Sequence, residues 1–130
     1  MKILISILII QIIFILYLNK IRVNGKFKLT LNKIAIFSSI LFYILIIITV
    51  VYLNYKYKNE LYAFDTNKDG IFNGDEISKA QEKAMKNVIS DTGRNFAPFT
   101  GIVFSVIYYI LLLPTLIIID KINSKVKLVF

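Results

Sequence analysis

The sequence predicts an all-α chain: three transmembrane helices, with an extramembrane helix-loop-helix between the second and the third. Three observations carry this. Apolar residues make up 57% of the 130 residues, more than a soluble domain usually holds, and the mean hydropathy is +0.69. The excess is gathered into three blocks without a single charge, residues 3–18, 34–53 and 101–119. Half of the eight acidic residues fall in one dozen, "DTNKDGIFNGDE", residues 65–76. The chain divides into a first span and basic loop (1–33), a second span extended into a helix that enters the acidic loop (34–64), the loop and its exiting helix (65–97), and a third span with a basic tail (98–130).

The first block, "ILISILIIQIIFILYL", follows Lys2 and is trailed by Lys20 and Arg22. No small-residue cleavage site comes after it, so it reads as a retained helix rather than a removed signal. It is short for a bilayer, and the flanking cations extend its reach by snorkelling. Gln11 near its middle is expected to face another helix, since an amide in hydrocarbon seeks a partner. In the connection that follows, Val23-Asn24-Gly25 fits a three-residue hairpin turn with Gly25 left-handed. That register pairs Arg22 with Lys26 and Ile21 with Phe27, which makes a basic ribbon against acidic lipid. A flexible basic linker that only fixes orientation is the competing reading.

The second and third blocks each have the length of a spanning helix. Pro114 leaves the carbonyl of Ile110 without its helical donor, which favours a kink. Pro98 suits the first turn of the third helix. Tyr52, Tyr55, Tyr57, Phe96 and Phe99 gather as an aromatic belt at one boundary. The basic residues fall eight to each side of the membrane, so density decides orientation: five lie in the fifteen residues 19–33, against seven in the forty-six residues 54–99. Short loops dominate the positive-inside rule. The basic loop and C-terminus are therefore placed in the cytoplasm of a cell-membrane protein, and the acidic loop outside.

In that loop, oxygen-bearing side chains alternate at Asp65, Asn67 and Asp69, Gly70 follows where the chain turns sharply, and Glu76 closes the twelfth position. Alternate residues on a tightly curved loop converge on one point, a carbonyl adds one oxygen, and a long carboxylate adds two. A hard cation such as Ca2+ takes six to eight oxygens in a flexible cage. The stretch resembles the EF-hand family, whose D-x-[DN]-x-[DN]-G-x5-E pattern it matches without a gap. The resemblance covers about thirty residues and none of the spans. It implies Ca2+ held by the side chains of Asp65, Asn67 and Asp69, the carbonyl of Ile71, Asn73 directly or through water, and both oxygens of Glu76. It also implies that Leu61 and Phe64 before the loop, and Ile77, Ala80 and Ala84 after it, form the apolar faces of the flanking helices. An Asx-rich turn that binds nothing is the plainer reading of the same residues.

Only three of the implied ligands are charged and Lys68 lies within the loop, so binding is expected to be weak, about 10⁻⁴–10⁻³ M, as in extracellular modules. EF-hands usually pair, yet "SDTGRN" (90–95) is not a second loop. A lone hand pairs with a second copy or another protein through Ile71 and Phe72, or is supported by the membrane. No Pro or Gly interrupts the chain between the second span and Asp65, so one helix is expected to run from bilayer to loop. The exiting helix is expected over "EISKAQEKAMKNVIS", with Asp75 in its first turn and Thr92-Gly93 ending it.

Function is bounded by what is missing. Without Cys there are no disulfides or thiolate sites, and without His the commonest general base is gone. No nucleophile–base pairing is visible, so an enzyme is not expected. The net charge of +8 lies beside the spans, which points to lipid headgroups rather than nucleic acid. The leading expectation is a membrane protein whose single loop binds Ca2+, as a weak extracytoplasmic sensor or a structural site. The alternative is a small transporter, channel or membrane-complex subunit with an incidental loop, although no ionisable residue lies in the spans to mark a pathway.

Overall fold

The computed structural model describes residues 2–25, 28–89 and 92–127. These residues form helices α1 (Lys2–Val23), α2 (Leu31–Tyr62), α3 (Lys79–Ile89) and α4 (Thr92–Lys127), with a 3-10 turn at Gly74–Glu76 and no strand among the described residues. Three of the helices are long and apolar enough to cross a membrane. Their side chains suit a lipid solvent: Leu4, Leu16, Ile110 and Leu111 are each about 60% exposed, and burial between helices in hydrocarbon needs only one close-packed face each.

Residues 1–45 and 100–130 form one compact unit. Its core is Leu18, Ile34, Ala35 and Leu116, ringed by Phe14, Ile15, Tyr109 and Leu112. Small residues let the backbones approach: Ala35 and Ser39 are buried on α2, Gly101 and Ser105 on α4. The Ser39 hydroxyl donates to the Ala35 carbonyl (2.8 Å) and Ser105 to that of Gly101 (2.7 Å). Each hydroxyl is thus satisfied one turn back along its own helix. Gln11, 2% exposed, faces inward; its Oε1 accepts the Tyr108 hydroxyl at 3.2 Å, and the Tyr108 ring stacks on Phe42 with centroids 4.8 Å apart. Two further side-chain ties fix the packing, Tyr109 to Asn32 (2.7 Å) and Arg22 to Asp120.

The hairpin expected around Val23-Asn24-Gly25 is not formed. Lys20, Ile21, Arg22 and Val23 are the last turns of α1, and the amides of Asn24 and Gly25 bond back to the carbonyls of Lys20 (3.0 Å) and Arg22 (3.2 Å). Gly25 is left-handed, φ +69, but as the stop of a helix rather than the corner of a hairpin. Cations in the last turn favour this helix end, and Arg22 is held there by Asp120 and by Asn19 at 3.1 Å. Lys26 and Phe27, the other half of the proposed ribbon, lie outside the described residues. Thr30 then opens α2, its hydroxyl accepting the Lys33 amide at 3.3 Å, the work of an N-cap.

Residues 46–99 form the second unit. Among its described residues, the buried side chains are Leu61, Gln81, Ala84, Arg94 and Ala97. Helix α2 runs without interruption to Tyr62, as the absence of Pro and Gly suggests. The exiting helix differs from expectation. Asp75 sits in the 3-10 turn, and α3 starts only at Lys79, because the Ser78 hydroxyl accepts the Gln81 amide (3.1 Å) and caps it there. With the start displaced, Gln81 and Ala84 turn inward, while Ile77 is 54% exposed and Ala80 is exposed too. Thr92 and Gly93 do not terminate a helix; they begin α4, which places Pro98 beyond its first turn. Arg94 accounts for the early start: its guanidinium donates to the Asn87 carbonyl and lies 4.6 Å over the Tyr57 ring. Such tertiary anchors override local propensity.

Candidate metal centre

The C-terminus of α2 unwinds through tight i→i+3 bonds, Phe64 to Leu61 (3.1 Å) and Asp65 to Tyr62 (3.2 Å), and delivers Asp65 to the mouth of the loop. One oxygen of Asp65, Oδ2, accepts the amide of Gly70 at 3.0 Å. Gly70 can meet it because its φ is +78, a region that L side chains avoid. Lys68 also lies in the left-handed region, φ +59, and is exposed.

Two Asx turns shape the middle of the loop. Asn67 Oδ1 accepts the Asp69 amide (3.0 Å), and Asp69 Oδ1 accepts the Ile71 amide (2.7 Å). These are the side-chain-to-backbone bonds that let Asn and Asp bend a chain without help from helix or sheet. The other oxygen of Asp69 accepts the Asn67 side-chain amide at 2.9 Å. Asn73, in extended conformation, precedes the 3-10 turn, and its carbonyl accepts the Glu76 amide at 3.1 Å. Ile71 is 64% exposed and Phe72 half-buried.

Glu76 closes the loop. Its Oε1 accepts the Thr66 amide (2.8 Å), the Thr66 hydroxyl (2.7 Å) and the Asn67 amide (3.3 Å). The Thr66 hydroxyl, and then the Thr66, Asn67 and Asn73 amides, hold its pKa below the ordinary value, although loss of solvation pushes the other way. Hydrogen bonds to the ionised form favour that form. Thr66 was not legible as a partner: it occupies a spacer position between two ligand-type residues, and only its capacity for a hydroxyl–carboxylate bond hints at the role. Ser78 did carry a signal, the Ser-x-x-Gln spacing of a capping box.

The six sequence-predicted ligands are therefore gathered unequally. Asp65 is bonded to Gly70, and Glu76 to Thr66 and Asn67, while Asp69 is turned to Asn67 and Ile71. Among the described residues no three carboxylates share one point. Two oxygens nonetheless stand out: Asp65 Oδ1 and Glu76 Oε2 are buried and have no hydrogen-bond partner. A carboxylate oxygen screened from water and without a donor forgoes solvation that nothing in the loop replaces. The donor set is entirely oxygen, which fits a hard cation such as Ca2+ and not a soft one. No family model matches the chain, and no match is found among the curated proteins or the solved structures.

Proposed function

We propose that the chain is a multi-pass protein of the cell membrane that binds Ca2+ through residues 65–76, with the ion bracing the loop. The observation that carries this is the pair of orphaned oxygens, Asp65 Oδ1 and Glu76 Oε2. In each carboxylate the partner oxygen is pinned by backbone amides, which orients the bare one. A divalent cation supplies the positive partner that these oxygens lack, and Glu76, whose pKa is held below its ordinary value, needs no proton release to ligate near neutral pH. Asp65, Asp69 and Glu76 would supply the charged oxygens, with Asn67, Asn73 and the Ile71 carbonyl completing the set. Recruiting Asp69 exchanges its bond from the Asn67 amide for a metal–oxygen bond. That exchange, together with Lys68, argues for the weak range of about 10⁻⁴–10⁻³ M, suited to an extracytoplasmic loop.

Calorimetric titration of detergent-purified protein with Ca2+, wild type against Glu76→Ala, tests the reading. Heat in the wild type that vanishes in the variant supports it; equal curves make the loop a turn and nothing more. Single-cysteine accessibility in α2 and α4, with and without Ca2+, separates a brace from a sensor, because only a sensor changes the exposure of the spans.

A further inference from the structure

Helix α3 carries three faces. Gln81, Ala84 and Val88, spaced i, i+3, i+7, turn into the unit. Lys79, Lys83 and Lys86 form an exposed stripe at i, i+4, i+7, where residues three and four apart are neighbours. Between these faces lies an apolar strip left largely open among the described residues: Ile89 is 69% exposed and Ile77 54%, and with the half-buried Met85 and Phe72 they line an open groove of about 400 Å³, edged by Gln81, Glu82 and Lys86. Exposed apolar side chains are ordinary on the spans, where lipid is the solvent. Here they are not, since α3 carries three Lys and one Glu in its 11 residues and lies outside the uncharged block 101–119.

We propose that this outer face of α3 docks on the surface of a bilayer containing anionic phospholipid, with Met85, Ile89 and Ile77 entering the headgroup–acyl boundary and the lysines meeting the headgroup phosphates. Three observations select lipid as the occupant. The helix bears three Lys against one Glu, a balance of 3 − 1 = +2, complementary to an anionic surface. A short amphipathic helix of low net hydrophobicity with Lys on its polar face is the type that lies in the interface plane. The bilayer is also within reach. From Ile89, three residues lead to Thr92, and seven further helical residues lead to Phe99, which is 71% exposed and belongs to the aromatic belt expected from the sequence. At about 3.3 Å per extended and 1.5 Å per helical residue, the tether is at most about 20 Å. Each lysine near an anionic surface adds a favourable attraction that is screened by salt.

The chain has no native cysteine, so a single probe is straightforward. Full-length Ile89→Cys, labelled with bimane, is reconstituted into phosphatidylcholine vesicles, or into equal parts phosphatidylcholine and phosphatidylglycerol, with acyl-brominated lipid as quencher. Strong quenching is expected in the mixed bilayer and severalfold weaker quenching in pure phosphatidylcholine. Adding Lys79→Gln and Lys83→Gln should lower the mixed-bilayer signal to the phosphatidylcholine level, and a bimane at Lys83→Cys should stay unquenched. Absence of quenching in both bilayers overturns the proposal, and so does equal quenching regardless of headgroup. Quenching by a second copy carrying a nitroxide at Ile89→Cys, in place of quenching by lipid, overturns it in favour of an interface between copies. Unchanged far-ultraviolet circular dichroism certifies that each variant is folded.

Discussion

The amide and the hydroxyl of Thr66 donate to the same oxygen of Glu76, at 2.8 and 2.7 Å. A residue at the start of the loop thereby holds the residue that ends it, and each bond is strengthened by the charge on the acceptor.

Thr66→Val keeps the amide and deletes the hydroxyl, the leading cause of the lowered pKa of Glu76. The pKa should rise towards its ordinary value, read from the carboxyl carbon shift of Glu76 during acid titration. Because the folded-state value is depressed, the associated stability is present above the unfolded pKa and is lost as pH falls through the folded one. Order in residues 65–76 should therefore weaken only in acid, and earlier in Thr66→Val than in wild type. An unchanged titration would show that the amides alone position the carboxylate.

Gly70 adopts φ +78 with nothing within 4 Å of where a Cβ would stand. Any cost of substitution is then backbone strain rather than a clash. Gly70→Ala should cost about 1–2 kcal/mol in the loop, and Gly70→Asn less, since Asn tolerates the left-handed region. Hydrogen exchange of the loop amides measures both. Equal protection in all three proteins would mean that the loop relaxes to another conformation at no cost.

Arg94 joins the last turn of α3 to the Tyr57 ring. Arg94→Lys retains the charge but loses the planar fork and the stacking, so it should behave more like Arg94→Ala than like wild type. Either change should cost about 1–3 kcal/mol, seen as faster exchange in α3. Full rescue by Lys would show that charge alone matters.

Gln11 and Tyr108 meet between the long apolar helices α1 and α4. A double-mutant cycle of Gln11→Leu and Tyr108→Phe should return a coupling of about 0.6 kcal/mol, typical of hydrogen bonds between membrane helices. Reversible unfolding in bicelles provides the four stabilities. A coupling of zero would leave the contact a matter of packing.

The three long apolar helices were plain in the sequence because unbroken uncharged runs of that length suit little else, and Gln11 could be assigned inward because an apolar exterior offers an amide no partner. Ends of helices were not plain. Ile21, Val23 and Phe27 suit strands by propensity, yet Asp120, almost a hundred residues away, holds Arg22 within α1. Thr92 and Gly93 look like breakers until Arg94 is anchored by Tyr57 and Asn87. The acidic loop was legible as a pattern of oxygens, whereas the unequal sharing of its hydrogen bonds, with Asp69 turned to Asn67, depends on competition among neighbours that spacing does not encode.

The pinning of Glu76 bears on time as well as shape. A long, freely rotating carboxylate would have to be recruited by each arriving ion, and the rotamer entropy lost would weaken every encounter. Here that ordering of Glu76 is complete once the chain has folded, so an ion bound as proposed would find this one ligand already in place and leave it in place on departure. On the proposed reading, exchange should be quick and nearly silent in the backbone shifts around Glu76, the behaviour of a rivet rather than of a trigger.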